Sequence, residues 1–197
     1  MSQPTEKVVD LRRRTGAGVM DCKTALDECG GDVEKAIEIL RKRGIAKAAK
    51  KAVRPTAAGV VEAYIHPGER LGVLIEVDVE TDFVARNQEF RRFVHDLAMH
   101  IAAADPMSID RSGVPQEVTD REKRIYEEQV ALTGKPVSII EKIVQGKLEK
   151  FYADVCLLEQ PFVKAPEKTV GDYLKETIAK FGENTVIRRF ARFKLGE

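Results

Sequence analysis

Histidine and cysteine are scarce, with three of each in 197 residues, and the formal net charge is only +1. His66, His95 and His100 are the only imidazoles. His95 and His100 lack the i, i+4 spacing that aims two rings at one metal, and neither a GxSxG elbow nor a paired-cysteine metal motif occurs. The expectation is a protein with no covalent catalysis, no cofactor and no metal of its own. Cys22, Cys29 and Cys156 are an odd set, and Cys22 and Cys29 stand ~10 Å apart along a straight helix, beyond disulfide reach. Reduced, partly buried thiols are expected. No apolar run approaches the ~20 residues that span a bilayer, and Met1-Ser2-Gln3-Pro4-Thr5-Glu6-Lys7 lacks the apolar segment of a secretory signal. The protein is therefore expected in the cytoplasm. A near-neutral chain has no global pull toward nucleic acid or a membrane surface. Its length allows one good-sized core, or a small domain beside a larger one.

The second arrangement fits the pattern better. Residues 1–41 read as three short helices: Val8, Val9 and Leu11 on the first, Cys22, Leu26 and Cys29 on the second, and Val33, Ala36, Ile37 and Leu40 on a third capped by Asp32. Gly16 and Gly18 close the first helix, and Gly30-Gly31 the second. This unit looks like a ubiquitin-associated-type domain. Gly16 and Gly18 do not make a phosphate loop, because no strand precedes them and GxxxxGK[ST] is absent. Residues 42–55, part of a run rich in Lys, Arg and Ala that ends at Pro55, read as a basic helical linker. Such a run can also follow a phosphate backbone, but it lacks stacking aromatics.

Residues 56–197 read as an α+β core. Strands are expected at Gly59–Ile65 and from Leu71, joined at His66-Pro67-Gly68-Glu69, with a last strand from about Thr185 to Leu195. Helices are expected near Gln88–Ala104, Pro115–Ala131, Val137–Val155 and Val170–Phe181. That order predicts a three-stranded antiparallel sheet covered by helices rather than a βαβ series. Arg188, Arg192 and Lys194 oppose Glu62, Glu76, Asp78 and Glu80 in sign, so cross-strand pairing accounts for the basic end of the chain. Leu71, Val73, Ile75 and Val77 are expected to face the helices. Tyr64, Leu74, Val186 and Phe190 are expected on the other face, an apolar patch suited to an interface.

The run Thr81-Asp82-Phe83-Val84-Ala85-Arg86-Asn87 sets a large apolar ring beside a carboxylate where the second strand gives way to a helix. Two readings stand here. Either Thr81 or Asp82 caps the helix while Phe83 staples its first turn to the core, or Phe83 is exposed on a connection that a rigid scaffold presents for binding. His100 borders the apolar stripe of Phe93, Leu97 and Ile101, which suits a hydrogen-bonded histidine at the rim of the core.

The wording of several pieces is more specific than their periodicity. Thr15-Gly16-Ala17-Gly18, Met20-Asp21-Cys22-Lys23, Ala25-Leu26, the basic stretch Ile45 to Lys51 and Thr81 to Asn87 come first. Ala98-Met99-His100-Ile101-Ala102, Gly134-Lys135-Pro136, Leu158 to Val163 and Gly182-Glu183-Asn184 follow in order. In these pieces, which span nearly the whole chain, it resembles the bacterial translation elongation factor Ts family, in its short form. The resemblance implies a guanine-nucleotide exchange factor that binds the GDP form of elongation factor Tu. It implies that Thr81, Asp82, Phe83 and Val84 dislocate the partner's Mg2+, with Phe83 as an apolar wedge. It implies further contacts by Arg12, Val19 and Met20 around the first turn, and by His100. Many relatives carry methionine where this chain has Val19, which keeps an apolar contact with a shorter reach.

Longer family members carry two related core halves, whereas this chain has one, so a homodimer is expected to supply the second. Two other classes stand beside this reading: an adaptor that docks through the three-helix unit without promoting exchange and, more distantly, a nucleic-acid-binding module.

Overall fold

The structure, a computed structural model, describes residues 5–132 and 136–197, with backbone alone at 45, 47 and 49. The Gly134-Lys135 part of the family-like pieces, and the first four residues, lie outside the described residues. The fold is α+β, as expected: helices accompany a three-stranded antiparallel sheet in the order β1 (Ala58–Ile65), β2 (Leu71–Val79), β5 (Thr185–Lys194). Between β2 and β5 come α4 (Asp82–Ala85), α5 (Gln88–Ala104), α6 (Gln116–Ala131), α7 (Val137–Val155) and α8 (Val170–Phe181). The sequence carries no period for the four-residue α4, for a 3-10 turn at Arg111–Gly113, or for a small antiparallel ribbon of β3 (Pro161–Phe162) and β4 (Ala165–Thr169). All are too short for a hydrophobic period to register.

The chain folds into two compact units, each assembled from separated segments. One comprises Met1–Val60, Glu76–Phe93 and Asp172–Arg188; the other Val61–Ile75, Val94–Gly171 and Arg189–Glu197.

In the first unit, α1 (Thr5–Thr15), α2 (Val19–Glu28) and α3 (Val33–Lys51) enclose their own apolar centre of Val8, Leu11, Cys22, Ala25, Leu26, Ala36 and Leu40. Asp32 caps α3, its carboxylate accepting from the Lys35 N–H at 3.1 Å. Helix α3 then continues without interruption to Lys51, through most of the segment expected as a linker. Alanine and lysine favour that continuation. Arg41 forms an ion pair with Asp172 of α8 at 3.3 Å. The Phe90 ring meets Phe181 edge-on at 5.8 Å, and Phe93 meets Tyr173 at 4.9 Å, so α5 and α8 are joined by aromatic pairs. Glycine is required at position 59, where a Cβ would come within 2.7 Å of the Val77 carbonyl oxygen.

In the second unit, α6 and α7 form a helical hairpin around Val130, Val144 and Leu148, with Tyr126, Ile140 and Ile143 packed against them. Arg111 fastens the far end of α7. Its guanidinium binds Glu149 at 2.6 Å and Glu159 at 2.6 Å and lies 4.6 Å over the Tyr152 ring. These two carboxylates hold the Arg111 pKa above its ordinary value.

The expected division of the sheet faces is corrected in part. Val73, Ile75 and Val77 are buried and Leu74 is exposed, as the alternation on β2 predicts. Tyr64, however, is half-buried and meets the His95 ring of α5 edge-on at 5.6 Å, so it belongs to the helix side. The exposed residues of β1 are instead Gly59, Val61, Ala63 and Ile65. On β5 the alternation slips at Arg188 and Arg189, which are both exposed. Beyond the slip Phe193 is 72% exposed, while Val186 and Phe190 are half-buried. The charge pairing holds at Arg188, 2.7 Å from Asp78, but Arg192 binds Asp105 at 3.3 Å and Lys194 binds Glu197 at 2.5 Å.

Candidate functional site

Strand β2 ends at Val79, and the chain turns through Glu80 and Thr81 into α4. Four residues cannot hold a helix by themselves, since nucleation costs more than one turn of hydrogen bonds returns. Three supports make up the difference. Val84 and Ala85 are each 4% exposed and anchor the inner side. Thr81, extended at φ −131 and ψ 153, caps the helix by accepting from the Val84 N–H, at a long 3.5 Å. The third support is Glu183, whose carboxylate accepts from the Thr81 N–H at 3.0 Å and from the Thr81 hydroxyl at 2.7 Å.

With the inner side held by Val84 and Ala85, Phe83 is 82% exposed. The staple reading of Phe83 is therefore displaced, because Val84 fills that role. Asp82 is exposed beside it, 3.4 Å from Arg86 across one helical turn, a surface pair that contributes little to stability. An aromatic ring and a carboxylate thus stand in solvent on a short, well-tied projection. An exposed ring on a supported projection suits insertion into another molecule. Among the described residues no group of three or more His, Cys, Asp or Glu side chains is arranged to hold a metal.

The other site residues proposed from the sequence fall in two places. Arg12 on α1 and Val19 and Met20 at the start of α2 gather about the Thr15-Gly18 turn, all exposed. Gly16 takes φ +67 there, and its N–H closes on the Arg12 carbonyl at 2.8 Å. These residues and the Thr81–Val84 segment belong to the first unit, and His100 to the second.

His100 is 1% exposed, deeper than a rim position, so its side chain presents no surface to a partner. Its hydrogen bonds fix its tautomer. The Gln160 amide nitrogen donates to the backbone carbonyls of Asp154 (2.7 Å) and Ala104 (3.3 Å), which turns its Oε1 toward His100 Nε2 at 3.0 Å. Nε2 must then carry the proton. Nδ1 accepts from the Val163 N–H at 3.2 Å. Burial pushes the imidazole pKa below its ordinary value, and the neutral ring holds the Val163-Lys164 turn. Asp96, one helical turn earlier on α5, holds the same turn through Lys164 at 2.7 Å.

Sequence reasoning gave no role to Glu183. Gly182-Glu183-Asn184 is a family-like piece at the junction of a helix and a strand, and that position is the available sign of polar work there.

Comparison with known proteins decides the family. The family model described as "Elongation factor TS" matches residues 34–197. The chain belongs to the elongation factor Ts family. It is 59% identical over 193 residues to the elongation factor Ts of Carboxydothermus hydrogenoformans, covering 98% of this chain and 89% of the relative. The protein of the same name from Caldanaerobacter subterraneus subsp. tengcongensis is also 59% identical, over 192 residues, with 98% and 96% covered. That of Citrifermentans bemidjiense is 57% identical over all 197 residues, 91% of its own length. The role of the chain is accordingly in translation elongation.

Proposed function

We propose that the chain is the guanine-nucleotide exchange factor for elongation factor Tu, binding its GDP form and promoting GDP release so that GTP can enter. The single observation that carries the reading is the exposure of Phe83 on a helix tied at both its inner side and its cap. In the proposed mechanism the Thr81-Asp82-Phe83-Val84 segment enters the partner near its bound Mg2+, with Phe83 as an apolar wedge. Val84 supports the segment from beneath. Mg2+ bridges and neutralises phosphate oxygens, so its dislocation weakens nucleotide binding without any contact between this chain and the nucleotide. By linkage, bound nucleotide weakens binding of the factor by the same factor. The protein speeds exchange in both directions and performs no covalent chemistry.

In the same reading the chain is organised as a ubiquitin-associated-type unit (1–41), a basic helical linker (42–55) and an exchange core (56–197). Arg12, Val19 and Met20 dock the partner's nucleotide-binding domain. His100 contributes through the Val163-Lys164 turn that it supports, since the ring itself is buried. The partner is a protein rather than nucleic acid or a membrane, and the site of action is the cytoplasm. Among the described residues no helix is long and apolar enough to cross a membrane. The unit of action is a homodimer. Val61, Ile65, Leu74, Phe193 and Leu195 are all exposed in the second unit, an apolar set larger than a solvated face needs. The deciding experiment is release of fluorescent GDP from elongation factor Tu with and without this protein. An adaptor would bind elongation factor Tu and leave the release rate unchanged, which would refute the proposal.

A further inference from the structure

We infer that Glu183 is a positioning residue of the exchange segment, and that the Gly182-Glu183-Asn184 junction is the brace that fixes where Phe83 is presented. The inference rests on the exchange reading above and concerns residues that reading does not use. Thr81 can cap α4 and bind Glu183 at once, because its hydroxyl donates its one proton to Glu183 Oε1 and keeps lone pairs for the Val84 N–H. The lengths rank the two ties: 2.7 and 3.0 Å to the carboxylate, 3.5 Å for the cap. Hydrogen bonds to a charged acceptor are also the stronger kind. The residue that opens α4 is therefore held from outside, by a side chain 102 positions away in sequence, in addition to the cap and the bond its carbonyl accepts from the Ala85 N–H at 3.2 Å.

The brace is itself anchored. Gly182 leaves α8 at φ +75, a conformation glycine adopts without steric cost, and its N–H closes the helix on the Ile178 carbonyl at 3.0 Å. Its own carbonyl accepts from Lys51 Nζ at the end of α3. Asn184 is 3% exposed. Its N–H donates to Glu80 Oε1 at 2.6 Å and its side-chain amide to the Arg54 carbonyl at 2.7 Å. Arg54 in turn pairs with Glu80 at 3.5 Å. Consecutive residues thus seize both residues between β2 and α4: Asn184 holds Glu80 and Glu183 holds Thr81. The same junction holds the end of α3. A wedge works only if its support keeps the ring on the productive path, and small losses of placement cost large factors in rate.

The test compares Glu183→Ala, Glu183→Gln and Thr81→Val with the parent in stimulated release of fluorescent GDP, as a function of factor concentration. Loss of the carboxylate is expected to lower the maximal stimulated rate about five- to tenfold, with half-saturation changed less than about twofold, because the docking surfaces are untouched. Glu183→Gln keeps one acceptor and should fall between Glu183→Ala and the parent. In a Phe83→Ala background Glu183→Ala should have no further effect, since the two act through one ring. The chain contains no tryptophan and four tyrosines, so Phe83→Trp supplies a single indole on α4 that red-edge excitation selects over the tyrosines. Its nanosecond anisotropy should fall when Glu183→Ala is added, and this readout needs no partner.

An unchanged maximal rate in Glu183→Ala, with Phe83→Ala strongly impaired, overturns the brace and leaves the exchange reading standing. An unimpaired Phe83→Ala overturns the wedge, while the anisotropy still decides whether Glu183 immobilises α4. Additive losses in the double variant overturn the positioning role. If Glu183→Ala fails to fold, Glu183→Gln carries the comparison, since Thr81→Val removes the α4 cap along with the tie to Glu183.

Discussion

Replacing Phe83 with alanine separates a side chain kept for the fold from one kept for a partner. At 82% exposure the ring contributes little to the folded chain. An aromatic side chain offers ~200 Å² at most, so the buried remainder is about 40 Å², or about 1 kcal/mol at 25 cal/mol per Å². For a chain of this size that shifts the melting temperature by about 2–4 °C. A central aromatic anchor at an interface is worth about 2–4 kcal/mol, a factor of about 30 to 1,000 in stimulated GDP release. The two effects therefore differ by at least about fivefold on the scale of equilibrium constants, and one set of measurements separates them: thermal unfolding by circular dichroism and fluorescent GDP release from elongation factor Tu. Val84→Ala is the control in the opposite sense. Val84 is 4% exposed, and its truncation should cost about 1–3 kcal/mol of stability through cavity formation. A Phe83→Ala protein that melts like the parent and stimulates release as fast refutes the wedge. One that is grossly unfolded refutes the burial arithmetic and returns Phe83 to the role of a staple.

Chemical and physical tests reach the rest of the molecule. The pKa of His100 is lowered by burial, so on acidification the unfolded chain takes up its proton first, and stability present above the ordinary histidine pKa is lost as pH falls. Urea unfolding at pH 7.5 and pH 5 should show that loss in the parent and less of it in His100→Gln; a parent that gains stability on acidification contradicts the assignment. Burial also raises the thiol pKa of Cys22 and Cys156, both fully buried, while Cys29 is half-buried. Cys29 alone should react quickly with a thiol reagent in the native protein, and mass spectrometry of tryptic peptides would expose a different order. The proposed homodimer should be split by Phe193→Asp with little effect on the monomer fold, because that ring is largely exposed; light scattering that gives a monomer mass for the parent, with full exchange activity, rules the dimer out.

The physical divide between what was legible in the residues and what was not is one of range. Helical and strand periods are set by neighbours within a turn or two, so the three-helix start, β2, α5 and the order of the remaining helices followed from local spacing. So did the burial of Val73, Ile75 and Val77. The family was legible for a different reason, since its pieces are strings of particular residues rather than periods. Nothing local says whether Phe83 or Val84 takes the inner position on a four-residue helix; that depends on what packs beneath it, and it puts Val84 inside. Nor does spacing reveal a slip of phase on β5, which moved the exposed ring from Phe190 to Phe193, or the meeting of Tyr64 with His95 that drew Tyr64 to the helix side. His100 sits on an apolar stripe in the sequence, yet its depth and its tautomer come from Gln160 and Val163, residues of another segment. The hold of Glu183 on Thr81 is the furthest case: a carboxylate 102 positions away becomes a neighbour only once β5 lies beside β2. By itself the sequence determined the longer helices and strands, their order, and the family to which they belong. Tertiary structure alone decided which side chain the proposed exchange segment exposes and what holds it there, because both are fixed by contacts between distant parts of the chain.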